Sequence, residues 1–202
     1  MAAVPVPQPK FNLLKIVQQL EPDHETETGK KFSEETHVDL IFRSIQDLDT
    51  QTLNSFAACT KLSLSSNFIV KIPDIHLKNL EILSLGRNKI KVIRGLDFVG
   101  NTLKQLWISY NEIDKLDGLQ ALLKLEVFYV GNNNIAKVDE LNKLSHLTNL
   151  VDVVFKGNIF AIQDGNINKP VDRTDRDVYK EDIRKRIPSV QMIDGERSSS
   201  SE

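Results

Sequence analysis

Side chains able to do covalent or metal chemistry are few and far apart in this chain. Its four histidines, His24, His37, His76 and His146, are scattered, and there is a single cysteine, Cys59. No glycine-rich phosphate loop, G-x-S-x-G elbow or H-E-x-x-H pair occurs, so the nucleophilic and zinc arrangements recognisable by spacing are missing. His24 lies between Asp23 and Glu25 with no second His or Cys at ligand spacing, which fits a solvated linker better than a metal site. Asp164, Asn166 and Asn168 begin like a calcium loop, but Lys169 stands where Gly is required and Asp175 where Glu is required. These residues predict no active site, no metal and no cofactor. What remains is recognition chemistry, concentrated in Trp107, Tyr110 and Tyr129, and its use depends on which way the backbone turns those rings.

The backbone pattern is explicit. Leu80-Glu-Ile-Leu83-Ser-Leu85-Gly-Arg-Asn88-Lys-Ile90 and Leu103-Lys-Gln-Leu106-Trp-Ile108-Ser-Tyr-Asn111-Glu-Ile113 both fit the leucine-rich-repeat frame L-x-x-L-x-L-x-x-N-x-L. Looser copies begin at Cys59, Leu125 and Leu150, making five. The asparagines Asn67, Asn88, Asn111, Asn133 and Asn158 follow one another at 21, 23, 22 and 25 residues. At each, the chain must turn out of a short strand inside a coil that excludes water. A side-chain amide both donates and accepts there, so the asparagines are expected to form a ladder. Cys59 takes a leucine position and reads as a small buried apolar residue.

After each Asn, apolar residues recur at every third position, as in Ile90, Ile93, Leu96 and Val99. That period suits a 3₁₀-like return. The predicted fold is an α/β solenoid: a right-handed leucine-rich-repeat coil with a parallel sheet on one face, 3₁₀ or helical returns on the other, and helical caps at both ends. Residues 1–10 are expected to be disordered. Residues 11–58 should hold an amphipathic helix over Phe11 to Leu20, with Phe11, Leu14 and Val17 on one face, then a polar linker over Glu21 to Glu35 and a capping repeat. Repeats fill 59–160, a C-terminal cap with a helix ending before Pro188 fills 161–195, and 196–202 form a disordered tail.

If the frame's leucines point inward, its third, fifth and seventh positions face outward. Ile82, Trp107, Val127, Tyr129 and Val154 then lie side by side in strands about 4.8 Å apart, rimmed by Arg87, Ser109, Tyr110 and Lys156. An exposed apolar cluster with a charged rim is the signature of a protein-binding surface. Trp107, the only tryptophan, is its expected anchor. Arg184, Lys185 and Arg186 are the least compensated part of a mixed-charge segment and a second candidate contact, toward an acidic partner.

Composition agrees with a binding module. A formal net charge of -2 over 202 residues argues against nucleic acid as the partner. No apolar run approaches the ~20 residues of a membrane span, and the first residues lack the basic start and apolar core of a secretion signal. A cytosolic protein, monomeric on its own, is expected.

The outward positions, which the frame leaves free, carry a more specific likeness. Leu83-Ser-Leu-Gly-Arg-Asn88 and Leu106-Trp-Ile-Ser-Tyr-Asn111 closely resemble the axonemal outer-arm dynein light chain 1 family. Lys61-Leu-Ser-Leu-Ser-Ser-Asn67 and the run from Lys185-Arg-Ile-Pro188 to Asp194-Gly195 are similar too. The resemblance covers roughly Ile45 to Gly195. It implies a non-catalytic light chain on the microtubule-binding stalk region of a dynein heavy chain, near tubulin, regulating motility in the axoneme of cilia or flagella. It also implies that the sheet face, with Arg87, Trp107, Ser109, Tyr110 and Tyr129, contacts the heavy chain. A regulatory subunit of a protein phosphatase and a spliceosomal leucine-rich-repeat protein are the alternatives, since both groups share short repeats.

Overall fold

A computed structural model describes residues 11–161 and 173–197. Five three-residue strands, β4 (Lys61–Ser63), β5 (Ile82–Ser84), β6 (Gln105–Trp107), β7 (Val127–Tyr129) and β8 (Asp152–Val154), run parallel in strict register. β2 (His37–Asp39) extends the sheet before β4, and β9 (Met192–Ile193) and β10 (Glu196–Arg197) extend it past β8. The central residues Val38, Leu62, Leu83, Leu106, Phe128 and Val153 face one continuous core with the leucines of the frame. Each coil buries its apolar edge only against its neighbours, so the stack stands as a unit.

The asparagine ladder forms. Asn88 Nδ2 donates to Leu64 O and Leu85 O at 3.0 and 2.9 Å, while its Oδ1 accepts from Ile69 N at 3.0 Å. Asn111 repeats the pattern one coil on, bonding Leu85 O, Ile108 O and Ile90 N. The sixth-position carbonyls of Leu64, Leu85, Ile108 and Val130 are thereby each shared by two asparagines. Asn67 ends the ladder by accepting from the amides of Arg43 and Ile45 in the capping repeat, where Arg43 occupies the Asn position.

The returns are only partly 3₁₀. Such turns occur at Asp97–Val99 and Val138–Leu144, whereas the stretches after Asn67 and Asn111 contain none. Pro73 has no amide to donate and disfavours a helical conformation at Ile72. Gly118 breaks the other return at φ +83°, where a Cβ would stand 2.1 Å from Ile93 O. An extended path with three residues per turn buries every third side chain just as well, which is why Ile69, Ile72, Ile75, Ile113, Leu116, Leu119 and Leu122 are all buried.

The N-terminal cap departs further from expectation. Phe11–Asn12 is a strand, β1, paired in parallel with β3 (Ile45–Asp47), and Asn12 caps helix α1 (Leu13–Thr28) by accepting from Lys15 N at 3.0 Å. Starting at Leu13 rather than Phe11 rotates the buried face to Leu13, Ile16 and Val17 and leaves Leu14 exposed. The helix also runs through Pro22 into the stretch expected to be linker. Thr26 and Thr28 hydroxyls close its last turns on Pro22 O and His24 O, and Gly29 ends it at φ 74°. His24 is no solvated linker residue: its ring stacks on Phe32 at 4.2 Å, and Nε2 lies 3.4 Å from Glu35.

At the other end, helix α2 (Arg173–Arg186) stops before Pro188, as its sequence requires. β9 then pairs with β8, and Asp194-Gly195, both at positive φ, turn the chain back into β10. A two-residue Asp-Gly loop of this kind favours a hairpin, so Glu196 and Arg197 belong to the cap rather than to a disordered tail. The buried Lys180 ammonium pairs with the exposed Glu196 carboxylate. The expectations for residues 1–10, for the calcium-like run at 164–169 and for 198–202 lie outside the described residues.

Candidate functional site

The outward face is shaped by a backbone rule that the frame does not spell out. The residue just before each ladder position, Phe42, Ser66, Arg87, Tyr110 and Asn132, has φ between 54° and 59°, and Gly157 has 82°. At each of these positions but Gly157, the amide extends the sheet ladder by one bond, as in Arg87 N to Ser109 O and Tyr110 N to Gly131 O, both 2.9 Å. The left-handed turn then drives the Asn side chain into the coil. Non-glycine residues pay roughly 1–2 kcal/mol for that conformation. The ladder bonds hold them there.

The result is a trough of about 370 Å³ on the sheet face, lined by Ile41, Ser65, Ser66, Gly86, Arg87, Trp107, Ser109, Tyr110 and Tyr129. The small seventh-position residues Ser65, Gly86 and Ser109 lie between two bulkier rows. On one side Trp107 and Tyr129, paired across β6 and β7, stack at 6.2 Å and 16°. On the other, the Arg87 guanidinium lies over the Tyr110 ring at 4.3 Å, a cation–π contact that orders both side chains. Tyr110 is 49% exposed although aromatic, so the row faces solvent.

Tyr129 is fixed from below as well. Its hydroxyl donates to Asp152 Oδ2 at 2.8 Å, and burial, then that bond and the Asp152 charge, push the phenol up to about 12. It is a neutral donor at any physiological pH. Among the described residues, the Trp107 indole N–H is buried without a hydrogen-bond partner, so the ring is held by stacking and packing alone.

Arg87, Trp107, Ser109, Tyr110 and Tyr129 therefore converge as the frame predicts. Ile82, Val127, Val154 and Lys156 do not line the trough. Ile82 and Val127 share the third-position row with Gln105 and Asp152, and all four are half-buried. Val154 and Lys156 sit beyond Tyr129 toward the C-terminal cap. Ile41, Ser65, Ser66 and Gly86 line the trough without having stood out as site residues. Ile41 was concealed because its repeat has Arg43 in place of Asn. The other three are small, and a trough is made where side chains are missing.

The basic segment has acidic partners close at hand. Lys185 Nζ lies 3.3 Å from Glu181, and Arg186 reaches Asp182 at 2.8 Å and Asp139 at 3.3 Å. Helical spacing i, i+4 supplies partners that reading Arg184, Lys185 and Arg186 as a run conceals. Among the described residues no group of three or more His, Cys, Asp or Glu is placed to hold a metal, and none of the described helices is long and apolar enough to cross a membrane.

Stacked parallel strands joined by an asparagine ladder make this a leucine-rich-repeat protein. Family models described as leucine rich repeat, and as leucine rich repeats in two copies, match residues 58–113 and 101–143. A dynein axonemal light chain 1 from Danio rerio is 42% identical over 177 residues, covering 85% of each chain. One from Chlamydomonas reinhardtii is 38% identical over 152 residues, 75% of this chain and 73% of that one. The chain belongs to the dynein axonemal light chain 1 family. A chain in the crystal structure of the Drosophila melanogaster SNF/U2A′ complex superposes with a TM-score of 0.50 over 94% of this chain and 86% of its own, at 15% identity. That likeness is one of fold alone.

Proposed function

We propose that this protein is a non-catalytic light chain of an axonemal outer-arm dynein. It resides in the cytoskeleton of cilia or flagella, docks its sheet face on the microtubule-binding stalk region of a heavy chain and regulates motility. The observation that carries the reading is the open trough whose aromatic wall, Trp107 on Tyr129, is held ready by the sheet. A preordered aromatic wall loses little rotamer entropy on binding, which favours it as an anchor. Family membership supplies the class of partner. A contact of Arg184, Lys185 and Arg186 with tubulin belongs to the same proposal. The exposed Lys185–Glu181 pair is worth only ~0–1 kcal/mol, so a denser acidic surface can draw Lys185 away.

The test is calorimetric titration of the recombinant stalk tip of an outer-arm heavy chain with wild type and Trp107→Ala. Binding should weaken about 30-fold, the equivalent of ~2 kcal/mol. Failure of the wild type to bind, or recovery of a phosphatase or a spliceosomal RNA-binding subunit from ciliated cells without dynein, would reject the assignment.

A further inference from the structure

Beyond the trough, the first two full coils carry a second uncovered surface on the side where the chain leaves the ladder. Asn67-Phe-Ile-Val-Lys-Ile72 and Asn88-Lys-Ile-Lys-Val-Ile-Arg94 contain no acidic residue. Every third residue of these runs, Ile69 and Ile72, then Ile90 and Ile93, is buried, which turns Val70, Lys71, Lys91, Val92 and Arg94 outward. Those five line a small dimple of about 220 Å³ between adjacent coils. Val92 is 56% exposed, and Phe68 and Val70 beside it are exposed too.

The cations are arranged around this apolar floor. Arg94 Nε donates to Ile72 O at 3.3 Å, which ties its side chain across the gap between coils. Lys89 Nζ stands 5.4 Å from the Phe68 ring centroid. Lys91 lies 3.6 Å from Glu112 in an exposed, weak pair. Lys71, Lys89 and Arg94 have no carboxylate in ion-pair range among the described residues. Among the described residues, the Lys91–Glu112 pair is the only ion pair that reaches these cations. The floor is therefore apolar and its rim is positive.

We propose that this dimple docks an acidic, extended segment of a protein partner. One apolar side chain sits between Val70 and Val92, and carboxylates two residues to either side meet Lys71, Lys91 and Arg94. Charge complementarity selects the acidic partner. The small volume of the dimple selects an extended one, because it seats a single side chain and not the ridge of a helix, and residues i and i±2 of an extended chain share a face. The site is independent of the trough and does not require the dynein assignment.

The probe is a short fluorescein-labelled peptide with Leu at its centre and Glu at every second position on either side, followed by anisotropy at low ionic strength. Saturable binding is expected, lost when Glu is replaced by Gln. The double variant Lys91→Glu and Arg94→Glu should weaken it at least about tenfold, and Val92→Ser about threefold with all charges kept. Lys30→Glu with Lys137→Glu, the same charge change on other exposed sites, and Trp107→Ala should each leave binding within about twofold. Equal loss in the remote double variant, equal affinity for a peptide lacking the Leu, or equal affinity for a single-stranded oligonucleotide would each overturn the proposal.

Discussion

Two adjacent positions of every repeat have opposite fates. The ninth is Asn in all five coils, buried, with its amide bonded to three backbone groups or more. The eighth is Ser66, Arg87, Tyr110 or Asn132, with its side chain pointing away from the core, or Gly157, which has none. Both are set by one local problem, a chain leaving a strand where water cannot reach. The ninth residue solves that problem with its side chain, so only one residue type serves. The eighth solves it with its backbone, at positive φ, so its side chain is free to vary. Function collects at the second kind of position. The inner row makes a solenoid, and the outer row, with the trough beside it, distinguishes this solenoid from others.

The sharpest way to break that contrast is to remove a ladder residue. Asn111→Ala leaves Ile90 N with no partner and takes one bond each from Leu85 O and Ile108 O. It should cost about 3 kcal/mol, measured as a lower urea midpoint with unchanged slope. Next is Gly118→Ala, which meets Ile93 O at 2.1 Å in a left-handed backbone and should cost at least about 2 kcal/mol. If either is tolerated within experimental error, the coil interior is not as closely specified as its hydrogen bonds indicate.

Tyr110→Gly tests the outer row with the smallest disturbance. Glycine accepts φ 59° without strain but loses more chain entropy, so stability should stay within about 1 kcal/mol of wild type. Removing the ring also frees Arg87, and affinity for the heavy-chain stalk tip should fall about tenfold. A variant that loses stability and binding together would show that the eighth position is structural after all.

The same contrast explains what could be read in advance. Repeat number, strand register and the buried apolar set were legible because the ladder and the core accept few residue types. The convergence of Trp107 and Tyr129 followed from alternation along the strands, whereas Arg87 and Tyr110 join them through the positive φ of the eighth position, which alternation does not give. The trough floor was not legible, since Ser65, Gly86 and Ser109 act by being small. Ile41 was hidden by Arg43 in the ladder position. The caps resisted for a different reason: Asn12, Thr26 and the Asp194-Gly195 hairpin set their boundaries through single hydrogen bonds and turn conformations that no repeat reinforces.

Cys59 tests the interior at a first-leucine position without disturbing the ladder. Burial pushes its thiol from 9.0 up to about 11, outweighing the bonds to the backbone that favour ionisation. Its Sγ donates to Lys61 O at 3.1 Å. The unfolded chain ionises this group from about pH 9 while the folded protein keeps it neutral, so its contribution to stability is intact below pH 9 and lost as pH rises toward 11. Lysines and tyrosines titrate there too, which is why Cys59→Ala is the reference: they cancel in the difference. The stability gap between wild type and Cys59→Ala should narrow between pH 9 and 11, and native Cys59 should react with a thiol reagent at pH 8 far more slowly than the unfolded chain does. A constant gap, or rapid labelling of the native protein, would place the thiol outside the core that the first-leucine position assigns it.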